Sequence, residues 1–235
     1  MQTTDSFPEA CEALFHHLIS RLIIPDKDIL DIGSGCGEST ALLAEMKPRS
    51  LRGVTLEKSQ YLLSRARFPG VEFINSEAGK FLAGLEPGSV DSIIALDCVY
   101  HFPLRLRFLD QAARVLRPGG IGKVALTDLI LGDETTFLQR LLLRLICALT
   151  ASGYGNFKTA EEYLREFKEA GFVDVELQDI SEDVFLGLAG FIGRQRSVMK
   201  GFGIEGKWGG YLVFKRVLEW WSTGVVRFVV VWAGT

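Results

Sequence analysis

The chain has 235 residues, which is enough for one sizeable α/β domain and short for two. Its 26 lysines and arginines against 29 aspartates and glutamates give a formal net charge of −3, so electrostatics give no reason to expect a nucleic-acid partner. The mean hydropathy of +0.20 is high, but the apolar runs at 137–149 and 225–233 are too short and too interrupted by arginines to span a membrane. We therefore expect a single domain over residues 1–235.

Leader and cysteine patterns indicate the compartment. The first residues are polar and acidic, and they lack the basic and then apolar stretches of a secretory signal. Cys11, Cys36, Cys98 and Cys147 lie far apart without Cys-x-x-Cys spacing, which argues against a zinc site or a disulfide framework. We expect a reduced, cytoplasmic protein that needs no metal.

A capping helix is predicted within residues 1–24, because apolar side chains recur over 8–24 at helical spacing: Ala10, Leu14, Leu18 and Leu22. Residues 28–33 form a short apolar strand that ends in glycines, and 38–46 form a helix that ends before a proline. This order is strand, glycine turn, helix.

Strands and helices continue to alternate through the centre of the chain. We predict strands at 51–56, 71–75, 89–97 and 122–129, with helices at 59–67 and 106–116. This alternation is typical of a parallel sheet with helices on both faces.

The pattern changes after Asp128. Residues 129–157 contain no predicted strand but a leucine-rich helical run, and 181–210 are rich in glycine and aromatic residues; we interpret both as lid segments over a substrate pocket. Their aromatic side chains would wall an apolar or aromatic substrate, although at least half should belong to the core: Phe137, Tyr154, Phe157, Phe185, Phe191, Phe202, Trp208 and Tyr211. Between the lids, Thr159 and Glu162 fit a capping box for a helix. The last two strands are predicted at 172–180 and 225–232.

The most informative segment is 29–37, an apolar strand that runs into Gly-x-Gly-x-Gly and then a helix. Glycines let a ligand approach the backbone closely, and the helix N-terminus offers free N–H groups to a carboxylate or phosphate. A dinucleotide site needs Gly-x-Gly-x-x-Gly. Residue 38 is Glu here, which places negative charge near a pyrophosphate, so the pattern disfavours NAD.

This segment resembles the first motif of class I S-adenosylmethionine-dependent methyltransferases, Leu-Asp-x-Gly-x-Gly-x-Gly. Two later motifs resemble the family in the same order: Val-Leu-Arg-Pro-Gly-Gly at 115–120, and Ala-Gly-Phe at 170–172 followed by Val175. The likeness is to the small-molecule type, in the branch of cyclopropane synthases and tocopherol methyltransferases. It implies a Rossmann-like α/β fold: a seven-stranded, mostly parallel sheet with helices on both faces, an antiparallel last strand and lid insertions. It also implies an S-adenosylmethionine-dependent methyltransferase with S-adenosyl-L-methionine as its cofactor.

The resemblance places the methionine part of the cofactor at the end of the first strand. Gly33, Gly35 and Gly37 would pack against it, with Ser34 between them. Asp31 would orient its amino group or a bridging water; the alternative role for Asp31 is a helix-capping or loop carboxylate.

The second strand departs from the common family pattern, in which an acid at its end grips both ribose hydroxyls. Thr55 stands at that position, followed by Leu56 and Glu57, as in the Gly-x-Thr-Leu-Ser-x-x-Gln version of the cyclopropane-synthase-like branch. The resemblance implies that Glu57 or Gln60 contacts ribose. The equally weighted alternative is that either residue is a solvated side chain at the start of a helix.

The third and fourth strands complete the implied cofactor site. Glu77, followed by Ala78, stands where an acid accepts a hydrogen bond from the adenine amino group. Asp97 and Cys98 follow the fourth strand, at the edge that faces both methyl donor and substrate in this fold.

Tyr100 and His101 are the predicted catalytic pair. A histidine can remove a proton from an N–H or O–H nucleophile near neutral pH, and Tyr100 would position that nucleophile. The alternative is that His101 only bonds backbone to hold its loop. Asp-Cys-Val-Tyr differs from the (Asp/Asn)-Pro-Pro-Tyr of methyltransferases that act on nucleic-acid bases, which also counts against DNA or RNA.

The expected function is methyl transfer to an O or N nucleophile of a small, apolar or aromatic metabolite, such as one of specialised metabolism. One alternative is C-methylation of a lipid or isoprenoid acceptor. Another is a non-catalytic subunit that binds the cofactor. An NAD-dependent oxidoreductase is disfavoured by Glu38.

Overall fold

The computed structural model describes residues 6–150, 153–202 and 209–235. Its strands are β1 Asp28–Ile32, β2 Ser50–Thr55, β3 Glu72–Asn75, β4 Ser92–Ala95, β5 Lys123–Leu131, β6 Val173–Asp179 and β7 Val226–Gly234. They form one seven-stranded sheet in the order β3-β2-β1-β4-β5-β7-β6. The first five strands are parallel, and β7 runs antiparallel to both of its neighbours. The predicted fold class is confirmed.

Helices cover both faces of this sheet. They are α1 Phe7–Ile19, α2 Glu38–Glu45, α3 Lys58–Arg67, α4 Ala78–Ala83, α5 Arg105–Val115, α6 Phe137–Thr150, α7 Ala160–Glu169, α8 Gly187–Gly201 and α9 Gly209–Trp220. Shorter helical turns are the 3₁₀ segments Val99–His101 and Tyr154–Asn156 and the π-helical segments Glu182–Leu186 and Trp221–Val225. None of the helices in the described ranges is long and apolar enough to cross a bilayer.

The central strands are apolar almost throughout because both of their faces are covered. In β5, Leu129 belongs to a core that the sheet forms with α1, α2, α6 and α8. Its neighbour Ile130 points the other way, into a core formed with α4, α5 and α7. The alternation of side chains along a strand thus divides one apolar run between two cores.

The Arg-Pro-Gly-Gly turn lies at the amino ends of the parallel strands. Arg117 donates from Nη2 to Asp28 Oδ2 at 2.8 Å and from Nε to Asp91 Oδ1 at 2.8 Å. Arg49 donates from Nη2 to the same Asp91 carboxylate at 2.8 Å. This cluster holds β1, β4 and β5 together at the edge opposite their carboxyl ends. The motif therefore stabilises the sheet.

Two predicted boundaries are wrong. α1 ends at Ile19 and does not extend to residue 24, because Ser20 caps it with its amide and hydroxyl both donating to the His17 carbonyl. The expectation that 129–157 contains no strand fails at its start, because β5 continues to Leu131 and pairs with β7 along its whole length. The carboxyl end of β5 is held by this long-range pairing, which no local pattern reveals.

The remaining segments are mostly helical. α6 occupies the predicted helical run of 129–157, and Thr159 and Glu162 form the predicted capping box of α7. The described part of the predicted lid segment 181–210 holds the Glu182–Leu186 segment and α8, while α9 was not predicted. Residues 151–152 and 203–208, and with them Trp208, lie outside the described residues.

Candidate functional site

A glycine turn joins β1 to α2 at the carboxyl edge of the sheet. Its first two amides, of Gly33 and Ser34, donate to the Val54 carbonyl of β2 at 2.8 and 3.0 Å, which fixes the turn against the neighbouring strand. Gly33, Gly35 and Gly37 have φ angles of +76°, +54° and +94°, in the left-handed region that favours glycine.

The three glycines are required for different reasons. A Cβ at Gly33 would lie 2.5 Å from Cys98 Sγ, and one at Gly37 would lie 2.8 Å from Phe73 Cζ. At Gly35 the nearest atom would be the Gly33 carbonyl oxygen, at 3.9 Å. Protein packing therefore excludes a side chain at the first and third positions, whereas Gly35 faces open space from which a ligand can reach the backbone.

Asp31 lies almost completely buried beneath this turn. Ser39 Oγ and Thr40 Oγ1 both donate to its Oδ2, at 2.7 and 2.6 Å. Burial raises the pKa of Asp31 to about 6, and these two hydroxyl bonds oppose the rise. Its Oδ1 and the buried Oγ of Ser34 have no hydrogen-bond partner among the described residues. An unsatisfied buried polar atom costs roughly 1–3 kcal/mol, so both atoms indicate a polar ligand.

Free backbone donors lie in the same turn. The amides of Gly35 and Cys36 donate to no acceptor within the described ranges, and α2 begins immediately afterwards with its unpaired N–H groups. An acceptor oxygen on Asp31 and amide donors at Gly35 and Cys36 match a group that carries an ammonium and a carboxylate on one carbon. The residues present thus fit the amino-acid end of a ligand, which is what the sequence predicted for them.

The surroundings of the two predicted ribose ligands, Glu57 and Gln60, differ at the end of β2. Thr55 is buried and donates its hydroxyl to Gln60 Oε1 at 3.0 Å, while Asn75 Nδ2 donates to the Leu56 carbonyl at 2.7 Å. Glu57 is exposed at the start of α3, and its carboxylate makes no cap bond to that helix. Glu57 therefore has both carboxylate oxygens available to a pair of hydroxyls, whereas the Oε1 of Gln60 already accepts from Thr55.

Glu77 caps a helix. Its Oε1 accepts from the Gly79 amide and its Oε2 from the Lys80 amide, both at 2.8 Å, at the N-terminus of α4. Ala78, the first residue of that helix, is buried. Both carboxylate oxygens therefore have backbone donors, and the contact of Glu77 with adenine stays a prediction.

The loop after β4 is anchored to both neighbouring strands. The Asp97 amide donates to Thr127 Oγ1 of β5 at 2.7 Å, and Cys98 Sγ donates to the Ile32 carbonyl of β1 at 3.2 Å. Burial raises the pKa of the Cys98 thiol well above its ordinary value, with the nearby Asp31 and Asp97 adding to the rise, so it stays a neutral donor. Asp97 itself has a positive φ of 55°.

Tyr100 and His101 lie on the 3₁₀ turn that follows. The Tyr100 hydroxyl donates to Asp97 Oδ1 at 2.7 Å. Burial raises the pKa of both groups, and the carboxylate also raises that of Tyr100, which therefore remains a protonated donor. His101 is exposed, with its ring centroid 4.3 Å from that of Tyr100. Its imidazole has no hydrogen-bond partner among the described residues, so it does not hold the turn through a backbone bond.

An apolar cavity of about 440 Å³ lies beside Asp97 and Tyr100. Two predicted lid aromatics, Phe185 and Phe191, line it, but His101 does not. Several other wall residues, from α1, α9 and the chain end, carry no signal in the sequence: Phe7, Cys11, Phe214, Trp221 and Phe228.

The other predicted lid aromatics lie elsewhere. Phe157 is buried in the core and Tyr154 packs against it. Phe137 and Phe202 are 79% and 77% exposed, and Tyr211 is 59% exposed. Of the two predicted lid segments, 181–210 supplies eight of the described residues that line the cavity, whereas 129–157 supplies only Leu129 among them.

Known proteins share this sequence pattern. The methyltransferase domain family matches residues 30–122. Methyltransferase GfsG of Streptomyces halstedii is 27% identical over 184 residues, which are 76% of this chain and 64% of that protein. The 27-O-demethylrifamycin SV methyltransferase of Amycolatopsis mediterranei is 27% identical over 158 residues, 66% of this chain and 57% of that protein. The chain therefore spans less than two thirds of the length of either relative.

Solved structures share the fold. Phosphoethanolamine N-methyltransferase 2 of Haemonchus contortus, in complex with S-adenosyl-L-methionine, has a TM-score of 0.80 at 19% identity, over 98% of this chain and 53% of that one. The cyclopropane synthase MmaA2 of Mycobacterium tuberculosis has a TM-score of 0.78 at 18% identity, over 100% of this chain and 87% of that one. These comparisons confirm the family resemblance recognised in the sequence.

Proposed function

We propose that this chain, whose residues 30–122 match the methyltransferase domain family, binds S-adenosylmethionine and transfers its methyl group to an oxygen or nitrogen of a small, apolar or aromatic molecule. The observation that carries this proposal is the group of unsatisfied polar atoms at the glycine turn, Asp31 Oδ1 and Ser34 Oγ. The Asp97–Cys98 loop links this group to the apolar cavity, because Cys98 packs on Gly33 and Asp97 lines the cavity wall.

Asp31 and the glycine turn would hold the methionine end of the cofactor. The free oxygen of Asp31 accepts from the ammonium group, and the amides of Gly35 and Cys36 donate to the carboxylate. Glu57 accepts from the ribose hydroxyls with the support of the Thr55–Gln60 pair, and Glu77–Ala78 borders the adenine. When bound, the cofactor supplies an electrophilic methyl group on its sulfonium.

Three side chains would orient the acceptor and accept its proton. Tyr100 stays protonated and orients the Asp97 carboxylate, whose raised pKa makes it a stronger proton acceptor than an ordinary aspartate. His101 keeps an imidazole with no hydrogen-bond partner in the described part of the chain, ready to take the proton that an O–H or N–H nucleophile loses. Alignment of that nucleophile and exclusion of water supply the remaining catalysis.

The cavity supports an apolar acceptor. Its walls include Phe7, Phe185, Phe191 and Phe214, with Asp97 and Tyr100 at one end. Residues 181–210 would cover the acceptor as a lid, since they supply much of this wall. An oxygen nucleophile is supported by one relative, which is a 27-O-demethylrifamycin SV methyltransferase.

The test is turnover. The protein is incubated with S-adenosylmethionine labelled in its methyl group and with a panel of apolar phenols, alcohols and amines, and release of S-adenosylhomocysteine is measured together with the mass of the product. We expect at least one acceptor to gain the label on oxygen or nitrogen.

Two outcomes would contradict the proposal. Label on carbon would favour the alternative of a C-methyltransferase for lipid or isoprenoid acceptors. Tight cofactor binding without turnover on any acceptor, including a metabolite extract, would favour a non-catalytic cofactor-binding subunit.

A further inference from the structure

The turn that carries His101 is held from outside by one side chain. Asn156 Nδ2 donates to the Tyr100 carbonyl at 3.1 Å and to the Phe102 carbonyl at 2.8 Å. These two carbonyls flank His101 on either side. One amide group with two donors thus fixes the peptide plane that joins Tyr100 to His101 and the plane that joins Phe102 to Pro103.

Asn156 is itself fixed by a buried arginine. Arg105 Nη1 donates to the Asn156 carbonyl at 2.7 Å and to Asp128 Oδ2 at 3.2 Å, and Arg105 Nη2 donates to Glu166 Oε2 at 2.7 Å. The Tyr163 hydroxyl also donates to Asp128, at 3.1 Å. Asn156, Arg105 and Asp128 are each at least nine-tenths buried, so water does not compete for these bonds.

This arrangement matters because His101 makes no side-chain hydrogen bond of its own to the described residues. The ring position therefore depends on the turn backbone and on the tilted ring contact with Tyr100. Within the turn, the backbone is held by two bonds, from the His101 amide to the Cys98 carbonyl and from the Phe102 amide to the Val99 carbonyl, each 3.0 Å long.

We propose that Asn156 is a positioning residue: by bridging the carbonyls of Tyr100 and Phe102 it fixes the turn that places Tyr100 at the cavity wall and carries His101 beside it. This inference rests on the proposed methyl transfer only for its effect on rate. The clamp, meaning the two hydrogen bonds that Asn156 donates to these carbonyls, is a property of the folded chain and is measured separately from activity.

The test uses Asn156→Leu, which keeps the branched shape of the side chain and removes both donors, with Asn156→Ala as a second variant should the first not fold. Hydrogen exchange at the His101 and Phe102 amides is followed by NMR or mass spectrometry. Loss of both bonds should speed their exchange about 10- to 100-fold. The kcat should fall by about 100-fold, because a reacting group displaced by about 1 Å costs that much, while the Kd for S-adenosylmethionine stays within about twofold.

Thr135→Val is the matched control. Thr135 is also buried, and its hydroxyl contacts the carbonyls of Gly132 and Val225, away from the turn. It should lower the Tm about as much as the Asn156 variants without changing kcat or exchange at His101 and Phe102.

The outcomes separate the clamp from the proposed function. Unchanged exchange at the two amides in a folded Asn156 variant overturns the inference, whatever the activity. Faster exchange with unchanged kcat overturns the positioning role and leaves a purely structural one. If the natural protein transfers no methyl group to any acceptor, the proposed function fails while the exchange result still decides whether Asn156 holds the turn.

Discussion

A carboxylate introduced at Gly35 tests whether the glycine turn receives a ligand. Gly35 has a φ of +54°, and a Cβ there would have no protein atom closer than 3.9 Å. Aspartate is enriched among the residues that adopt this region, and the backbone cost is about 1–2 kcal/mol. For a chain of this length, each kcal/mol lowers the Tm by roughly 2–4 °C. Gly35→Asp should therefore stay folded, with a Tm only a few degrees lower.

The effect on ligand binding should be much larger. The new carboxylate lies beside the free amides of Gly35 and Cys36, where the ligand carboxylate is expected. Two like charges about 4 Å apart repel by about 1 kcal/mol in water and about 4 kcal/mol near a protein surface. With the lost space added, we expect S-adenosylmethionine to bind at least about 100-fold more weakly, which is about 2.7 kcal/mol, as measured by isothermal titration calorimetry.

Gly119→Asp is the control. Gly119 also has a positive φ, of 80°, and a Cβ there would meet no described atom within 4 Å, but this glycine lies in the turn before β5 at the opposite edge of the sheet. Its Tm should fall by a similar amount and its Kd should stay within about twofold of the unaltered chain. Should folded Gly35→Asp bind within about threefold of the unaltered chain, the site has been placed wrongly.

Three further predictions concern the titratable groups. Because burial raises the pKa of Asp31 to about 6 from 3.8, its ionisation opposes folding. The free energy of unfolding should therefore fall by about 3 kcal/mol as pH rises from about 4 through 6. In Asp31→Asn, the free energy of unfolding from urea titrations should fall less steeply with pH over that range. His101→Ala should lower kcat by at least about 100-fold at nearly constant affinity for S-adenosylmethionine, and unchanged turnover would exclude His101 as the proton acceptor. Tyr100→Phe removes a hydrogen bond that lowers the pKa of Asp97, so that pKa should rise and the acid limb of the pH–rate profile should move to higher pH; an unmoved limb would exclude Asp97 as the titrating group.

The glycine turn after β1 was predictable from the sequence because its determinants are local. The apolar strand, the alternate glycines and Asp31 are close in sequence, and backbone geometry places them at one sheet edge. The sequence could not distinguish among the three glycines. Their different surroundings arise from Cys98 and Phe73, which are brought in by other strands.

The wall of the apolar cavity was predicted less well because it is assembled from distant segments. Phe7, Phe214 and Trp221 reach the cavity from α1, α9 and the turn before β7, and no spacing rule connects them. Asn156 could not be predicted for the same reason, since its partners Tyr100 and Phe102 are more than fifty residues away. Glu77 also depends on its surroundings, because the helix N-terminus there gives both of its carboxylate oxygens backbone donors.

The central claim is that the turn after β1 binds S-adenosylmethionine and not a dinucleotide. Calorimetric titration of the unaltered protein with S-adenosylmethionine and, separately, with NAD tests it most directly. We expect saturable binding of one S-adenosylmethionine per chain and no heat of binding with NAD. A folded protein that gives no heat with S-adenosylmethionine at millimolar concentration, or that binds NAD more tightly, would contradict the account.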